Sequence, residues 1–421
     1  MLQGNYAKKF VLLLGDIILL YFALFLALLI REQSLPSLLL WRLNALPFTL
    51  INILWLLIFY IAGLYDIEKK IFTGLASICK VIVIGGIIAV LFFYLIPSFG
   101  IAPKTILVID IIMTSLLLWL WRKLFTKLLS KAAKIKIFFW DNLGERNDLP
   151  FLPLWYETSG EISLADVIVV SEESKRNPAL IPVFYKMVLS GKTIIDFNKF
   201  YESITGKIPV SLISESWFLE NLTEINKQTF ERFKRGLDLV FSLALFIPYI
   251  FITPFVALAI KLNSKGPVFY RQKRVGKNGK IFEIIKFRSM IVNAEKNGVQ
   301  WAKERDGRVT FVGNILRKTR TDELPQIWNV LKGDLSFVGP RPERPEFVEE
   351  LKKQIPHYSM RHLIKPGLSG WAQINFPYAA SVEDAMEKLQ YDLFYLKNRS
   401  LGLDIAILLK TIMIILRKEG R

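Results

Sequence analysis

Three short runs in the second half of the chain hold the side chains best suited to chemistry. In the run from Leu316 to Asp334, Asp322 and Glu323 stand side by side, with Arg317, Lys318 and Arg320 just before them and Pro325 just after. Two adjacent carboxylates can hold a divalent cation and an attacking oxygen together. The spacing predicts that they open a helix. Thr321 or Asp322 would cap it, and Pro325 is tolerated in a first turn whose N–H groups lack partners anyway. The helix dipole there favours an ionised carboxylate. From this run alone, a plain N-cap followed by a solvated Glu is an equal alternative.

In the run from Phe337 to Pro345, prolines on both sides of Arg341 fix the backbone, so its guanidinium sits on a rigid loop. A bidentate phosphate clamp is built that way, and so is a rigid turn with incidental arginines. The run from Ser264 to Lys280, resumed at Ile285 to Met290, interleaves apolar strand residues with Arg271, Lys273, Arg274, Lys286 and Arg288. Cations on such a frame can neutralise phosphate oxygens, although a charge-rich hairpin also serves as a solvated face or a lipid-headgroup contact. A loop from Lys365 to Gln373 carries Gly367 and Gly370, which let backbone approach a ligand. Two histidines, His357 and His362, and a single cysteine, Cys79, complete the inventory. A disulfide framework and a thiolate metal cluster are excluded, and Ser-His or His-metal catalysis is disfavoured. The chemistry must rest on carboxylates, lysines and arginines.

These groups belong to a chain of 421 residues that is 52% hydrophobic and 22% charged. Globular proteins average roughly 45–50% apolar even with glycine counted. The composition fits a divided chain, one part in lipid and another facing water. Disorder is excluded by so much apolar surface. The net charge of +18 favours an anionic partner: lipid headgroups, nucleic acid or phosphorylated substrates.

Four apolar stretches fill the first third: Phe10 to Ile30, Leu43 to Tyr65, Val81 to Pro103 and the shorter Thr105 to Trp121. About 20 apolar residues cross the hydrocarbon, and the first stretch lacks the cleavage site of a removable signal peptide. Lysines and arginines cluster before the first stretch, between the second and third, and after the fourth. The positive-inside bias then puts both ends of the bundle, and the rest of the chain after it, in the cytoplasm. Asp16 and Asp110 are intramembrane carboxylates. Their position near span ends favours pairing within the bundle, or reaching the interface, over function.

From Ile135 to Trp140, Asp166 to Val170 and Lys192 to Phe197 the chain reads as short buried strands, with a helix over Ile181 to Leu189, which suggests a small parallel α/β unit. Its first turn, Trp140 to Arg146, has one glycine, too few for a dinucleotide-binding turn. A fifth apolar run, Gly236 to Leu262, is long enough to span but contains Pro248 and Pro254 and has basic residues on both flanks. A helix that enters the membrane, breaks at Thr253-Pro254 and returns to the same face reconciles these features; a kinked ordinary span is the alternative. Ser400 to Lys418 has the charge spacing of a helix lying along the membrane surface.

The runs KFRSM, TRTDELPQIWNVLKGD, SFVGPRPERPEF and KPGLSGWAQIN, followed by YDLFYLKN and LDIAILLKT, resemble the bacterial sugar transferases, monotopic polyprenyl-phosphate glycosyl-1-phosphate transferases. The resemblance runs from about Phe230 to the C-terminus, and the preceding architecture resembles long-form members. It implies a helical transmembrane bundle over residues 1–130, a shortened Rossmann-like α/β linking domain over 131–210, and an α+β monotopic catalytic domain over 211–421. That domain would carry a re-entrant helix at 236–262 and an interfacial helix at 400–418. The implied reaction moves a hexose-1-phosphate from a UDP-sugar to polyprenyl (undecaprenyl) phosphate and releases UMP. By resemblance Asp322 is the nucleophile and Glu323 its neighbour, the two holding Mg²⁺. Arg341, Lys286, Arg288 and Arg320 are the candidates for substrate phosphates, and Thr253 and Pro254 match the family's hydroxyl-proline break. The implied setting is the cytoplasmic face of a bacterial inner membrane, among membrane lipids, as a homodimer without nucleic acid. A non-catalytic membrane scaffold, and a conventional glycosyltransferase releasing UDP, are the alternatives.

Overall fold

A computed structural model describes residues 2–65, 75–95, 104–131, 134–141, 152, 156–222, 228–292, 294, 307–376 and 381–416. The chain forms two compact units, Met1–Ile195 and Asp196–Arg421.

The first unit begins with four helices, α1 (Leu2–Glu32), α2 (Leu38–Ile61), α3 (Leu75–Leu95) and α4 (Lys104–Lys131). In lipid the backbone must satisfy its own hydrogen bonds, so long apolar runs become helices. Among the described residues, Ala7–Glu32, Leu38–Ile61 and Thr105–Leu129 are long and apolar enough to cross a membrane, whereas the apolar part of α3 is the shorter Val81–Phe93. Two expected boundaries are corrected. The third helix starts earlier than Val81, at Leu75, and residues 96–103 lie outside the described residues. The fourth does not end at Trp121 but continues to Lys131.

The cause is Arg122, which is fully buried. Its Nη1 and Nη2 donate to Asp16 Oδ1 and Oδ2 at 2.7 and 2.8 Å, and the Tyr65 ring lies 5.8 Å away. A charge that ends a span in a hydropathy reading is neutralised inside the bundle. Asp110 is equally buried, and neither of its carboxylate oxygens has a hydrogen-bond donor among the described residues. Gly85 and Gly86 let α3 seat closely between Trp55 and Ile111, since a Cβ there would stand 2.8 and 2.7 Å from those side chains.

The unit continues into a four-stranded sheet of β1 (Ile135–Phe139), β2 (Tyr156–Thr158), β3 (Val167–Val170) and β4 (Thr193–Asp196), in the spatial order β2-β1-β3-β4. β1 runs parallel to both neighbours, with Ile135 opposite Tyr156 and Ile137 opposite Val167. Every residue of β3 is buried, as its unbroken Val-Ile-Val-Val run requires. Helices α5 (Glu172–Arg176) and α6 (Ile181–Leu189) separate β3 from β4. The three expected strands and α6 are present. The edge strand β2 has no signature in the sequence, because Tyr-Glu-Thr lacks apolar alternation. Most of the glycine-poor turn, from residue 142 on, lies outside the described residues.

The second unit opens with α7 (Phe197–Thr205), capped by Asp196, and α8 (Glu215–Asn221). Lys397 Nζ donates to Glu202 Oε2 at 2.6 Å and Trp371 Nε1 to the Gly206 carbonyl at 2.8 Å, so residues 196–222 fold with the C-terminal half of the chain. Helix α9 (Gln228–Asn263) is also long and apolar enough to cross a membrane, and little of it is buried. The expected break at Thr253-Pro254 is absent: the helix runs through both prolines. Pro254 has no N–H for the Ile250 carbonyl, and the Thr253 hydroxyl donates back to the Tyr249 carbonyl at 2.7 Å, yet the helix is not interrupted.

Beyond α9 come the antiparallel hairpin β5 (Phe269–Val275) and β6 (Ile281–Phe287), then α10 (Phe311–Lys318), a 3₁₀ turn (Thr321–Gln326) and α11 (Ile327–Lys332). Strands β7 (Ser336–Val338) and β8 (Gly367–Ser369) pair in parallel, with α12 (Pro345–Gln354) between them. Helices α13 (Trp371–Asn375), α14 (Val382–Asn398) and α15 (Leu401–Leu416) close the unit. Its core joins α8, α12, α14 and α15 through Trp217, Val348, Leu389, Leu393 and Ile407. Asp404 of α15 does not lie on a polar outer face. It is buried, accepts from Tyr395 Oη at 2.7 Å and pairs with Lys234 of α9. Residues 417 and 418 lie outside the described residues.

Candidate active site

The hairpin, the 3₁₀ turn and the loop after β7 converge. Arg320 adopts a left-handed backbone, φ 56°, which turns the chain back after α10 so that Asp322 and Glu323 face β6. Pro325 has no N–H to donate, and the α-helix proper begins only at Ile327. The expected helix cap is therefore corrected. Thr321 Oγ1 meets the Thr319 hydroxyl at 2.7 Å, and the Asp322 carboxylate caps nothing.

Glu323 is the hub. Its Oε1 accepts from Lys286 Nζ at 2.9 Å and from Arg341 Nη2 at 3.1 Å, and Arg320 Nη1 stands 3.9 Å from its Oε2. Burial alone would raise the Glu323 pKa, but these three cations outweigh it and hold the carboxyl well below the usual range. Asp322 goes the other way. Only 8% of it is exposed, and Oδ1 has no hydrogen-bond donor among the described residues. Burial, then the neighbouring Glu323 charge, raise its pKa above an ordinary aspartate, against the pull of Lys286, Arg317 and Arg320. Burial also lowers the Lys286 pKa, opposed by Glu323, while Glu323 raises that of Arg341. The two adjacent carboxylates thus differ: Glu323 is held by cations through one oxygen, and Asp322 is buried and more basic.

Of the expected phosphate-binding residues, Lys286, Arg341 and Arg320 meet at Glu323. Arg288 does not. Its Nη1 donates to the Lys265 carbonyl at 3.0 Å, and its Nη2 to the Ser264 carbonyl at 2.7 Å and the Ser264 hydroxyl at 2.9 Å, tying β6 to the end of α9. Thr253 and Pro254 stay within α9.

Several supporting residues escaped the sequence reading. Asn329 Oδ1 accepts from Ile285 N at 3.2 Å and its Nδ2 donates to the Glu283 carbonyl at 2.7 Å, which sets the Lys286 strand against α11. An amide inside the apolar run Ile-Trp-Asn-Val-Leu was the available signal. Arg361, also buried, donates through Nη2 to the Arg341 carbonyl at 3.0 Å and through Nη1 to Tyr358 Oη at 2.6 Å, and it pairs with Asp392 at 2.8 Å. Arg274 reaches the Pro342 carbonyl at 3.1 Å and faces Glu343 at 3.7 Å; burial brings its pKa down to about 10. The loop bearing Arg341 is thus held from both sides.

The oxygen donors suit a hard cation such as Mg²⁺, which is usually bound by one or two carboxylates together with substrate phosphates. Asp322 Oδ1 is a buried oxygen in want of a partner, and Glu323 Oε2 is only distantly engaged. The residues fit the ion.

Residues 229–418, which include all of these groups, match the family described as "Bacterial sugar transferase". The chain is 40% identical to a UDP-glucose:undecaprenyl-phosphate glucose-1-phosphate transferase of Caulobacter vibrioides over 192 residues, which are 44% of this chain and 71% of that protein. This chain belongs to the bacterial sugar transferase family. Two other relatives are longer than that one. The chain is 45% identical over 222 residues to a UDP-N-acetylgalactosamine-undecaprenyl-phosphate N-acetylgalactosaminephosphotransferase of Aeromonas hydrophila, covering 52% of this chain and 51% of that protein. It is 35% identical over 222 residues to an undecaprenyl-phosphate galactose phosphotransferase of Salmonella typhimurium, covering 49% and 45%. The chain thus spans about half the length of these two. The names of the three relatives carry three different sugars.

Proposed function

We propose that this membrane-associated protein transfers a hexose-1-phosphate from a UDP-sugar to polyprenyl phosphate and releases UMP. The observation that carries the reading is the buried Asp322 Oδ1, without a donor among the described residues, beside a Glu323 held by Lys286 and Arg341. Asp322 Oδ1 attacks the sugar-bearing phosphorus, the bond from that phosphorus to the UMP oxygen breaks, and UMP departs with the electron pair. An oxygen of polyprenyl phosphate then attacks the same phosphorus and the bond to Asp322 breaks, restoring the carboxylate. One difficult displacement becomes two. Arg341, Lys286 and Arg320 offset the charge of the phosphates that otherwise repel an anionic attacker. Mg²⁺, held by Glu323 and Asp322 with the substrate phosphates, supplies further charge neutralisation when bound.

We infer that the site lies at the cytoplasmic face of a bacterial inner membrane, as the distribution of basic residues around the apolar stretches favours, and that α9 is the re-entrant element that holds it there. Both ends of α9 bond to the same compact unit. Arg235 donates to the carbonyls of Val330 and Leu331 at 2.5 and 2.7 Å, and Asn263 Oδ1 accepts from Val312 N at 3.2 Å. A helix that crossed the bilayer would put its two ends on opposite faces, whereas a bend at Pro248 or Pro254 would let a continuous helix return both ends to the face of the unit that holds them. The bundle of α1 to α4 anchors the chain in the same bilayer, with the small α/β unit as a Rossmann-like linker and a second copy of the chain as its partner.

The test is a panel of UDP-sugars with polyprenyl phosphate and Mg²⁺, read by the nucleotide released. UMP supports the proposal, UDP favours a conventional glycosyltransferase, and no nucleotide favours a scaffold. A quenched reaction should also contain labelled phosphosugar on the protein, lost in Asp322→Asn. Product without such an adduct in the wild type would overturn the covalent route.

A further inference from the structure

The first turns of α9 carry Glu231, Lys234, Arg235 and Asp238, spaced i, i+3, i+4 and i+7 on one helix face. With Ser336 of β7 and Lys365, from the loop before β8, they line a cavity of about 320 Å³, part of it open solvent. Neither Asp322 nor Glu323 belongs to its walls. Most of the charges there are matched. Glu231 pairs with Arg399 and Lys234 with Asp404, while Asp238 accepts from Ser336 Oγ at 3.1 Å and from Phe337 N at 3.0 Å. Two cations are not. Arg235 donates only to the neutral carbonyls of Val330 and Leu331. Among the described residues Lys365 makes no hydrogen bond and no ion pair. Their heads lie together: a Cβ on Gly333 would stand 3.5 Å from Arg235 Nη2 and 3.6 Å from Lys365 Nζ. Burial, then the Arg235 guanidinium, lower the Lys365 pKa against the pull of Asp238 and Glu231.

The cavity sits where the charged face of α9 gives way to its apolar run. Phe233 on the outer side, and Leu239, Val240, Phe241 and Leu243 just beyond, are exposed. A bilayer covering that surface would hold the cavity at headgroup depth, where lysine and arginine heads meet lipid phosphates. Two neighbouring cations without acids, in a cavity with an open side, suit one phosphate that accepts from both. We propose that this cavity is a binding site for a phosphate group at the membrane surface, held by Lys365 and Arg235. The phosphate comes from the headgroup of an anionic phospholipid or from the water. Once bound, it ties the start of α9 to the loop before β8, and so fixes the membrane element relative to the β7–β8 pair.

The experiment uses the full chain in three preparations: nanodiscs of phosphatidylcholine, whose own cation opposes binding; the same with phosphatidylglycerol added; and the first with inorganic phosphate in the buffer. Acylation of Lys365 by a small uncharged amine-reactive reagent is followed by mass spectrometry and normalised to Lys265, exposed at the other end of α9. A site about nine-tenths occupied should react roughly tenfold more slowly. Slowing by phosphatidylglycerol alone assigns the lipid headgroup, and slowing by inorganic phosphate assigns a free anion. Equal rates in all three preparations overturn the inference. The same occupancy should raise the wild-type melting midpoint by about 3–5 °C over phosphatidylcholine alone. Lys365→Met should lose that rise and Lys365→Arg should keep it. A folded Lys365→Met that keeps it overturns the inference, and if that variant does not fold, the wild-type labelling decides. Neither measurement contains a UDP-sugar, so the proposed transfer reaction stands or falls separately.

Discussion

Replacing each member of the carboxylate pair with its amide should change stability in opposite directions. Glu323 is held by Lys286 and Arg341, whose side chains are 18% and 34% exposed, and by the more distant Arg320. Breaking a fully buried pair costs about 3–5 kcal/mol. With the exposure of Arg341 discounted, Glu323→Gln should cost about 2–3 kcal/mol. Asp322 carries a charge its surroundings disfavour, with one oxygen unsatisfied and a like charge beside it. Asp322→Asn removes that penalty and should stabilise by about 1–2 kcal/mol, although it abolishes turnover.

For a folding unit of this size 1 kcal/mol moves the midpoint by roughly 2–4 °C. Tryptophan fluorescence of the nucleotide-free protein in nanodiscs should therefore show Asp322→Asn melting above wild type and Glu323→Gln below it. The pH dependence comes from the two shifts. The Glu323 contribution is complete above the ordinary glutamate pKa, about 4.3, and fades as pH falls through its depressed value. The Asp322 penalty is present above its raised pKa and disappears below the ordinary aspartate pKa, about 3.9. The advantage of Asp322→Asn should thus vanish on acidification. An Asp322→Asn variant that melts below wild type at neutral pH would refute the account of the pair.

The proposed mechanism requires an ionised Asp322 for attack, so the acid limb of kcat/KM should have its midpoint above about 3.9, the ordinary aspartate value; a midpoint at or below it refutes the assignment. Arg288→Gln removes three bonds at the foot of the hairpin and should lower stability by about 2–4 kcal/mol, with the KM for the UDP-sugar within about twofold of wild type; a selective rise in KM would make Arg288 a substrate ligand. Arg122→Gln leaves Asp16 buried and alone and should cost about 3–5 kcal/mol, seen as lost folded yield, with partial recovery in Asp16→Asn/Arg122→Gln; equal yields would refute the bundle pairing. Single cysteines at Arg232 and Lys265, in a Cys79→Ser background, should both react with an impermeant thiol reagent in inverted membrane vesicles, and protection of one would end the re-entrant reading.

The readable parts of this molecule are those where local chemistry and tertiary role coincide. The adjacent carboxylates and the proline-locked Arg341 stand out because a catalytic dyad and a rigid clamp need those residues together in the chain. Lys286 and Arg288 look alike in the run Lys-Phe-Arg-Ser, yet one meets Glu323 and the other caps backbone carbonyls, because β6 ends at Phe287 and Arg288 sits where the chain has left the strand, beside the end of α9. Nothing local separates a phosphate clamp from a carbonyl clamp. Arg122 reads as the end of a span because hydropathy counts a charge without its distant partner Asp16. The cap expected at Thr321 or Asp322 does not form because Pro325 delays the helix by a 3₁₀ turn. Asn329 and Arg361 act on backbone groups far along the chain, and only the folded contacts expose that work.

The Asp16–Arg122 bridge also bears on how the chain is made. Asp16 leaves the ribosome 106 residues ahead of its counter-ion, a lag of roughly 5–20 s at ordinary translation speeds. Throughout that interval the first helix carries a lone anion, so it must wait at the insertion machinery or near the headgroups until the fourth helix arrives. Nascent chains arrested before residue 122 should consequently be substrates for membrane quality control, whatever the health of the enzyme downstream.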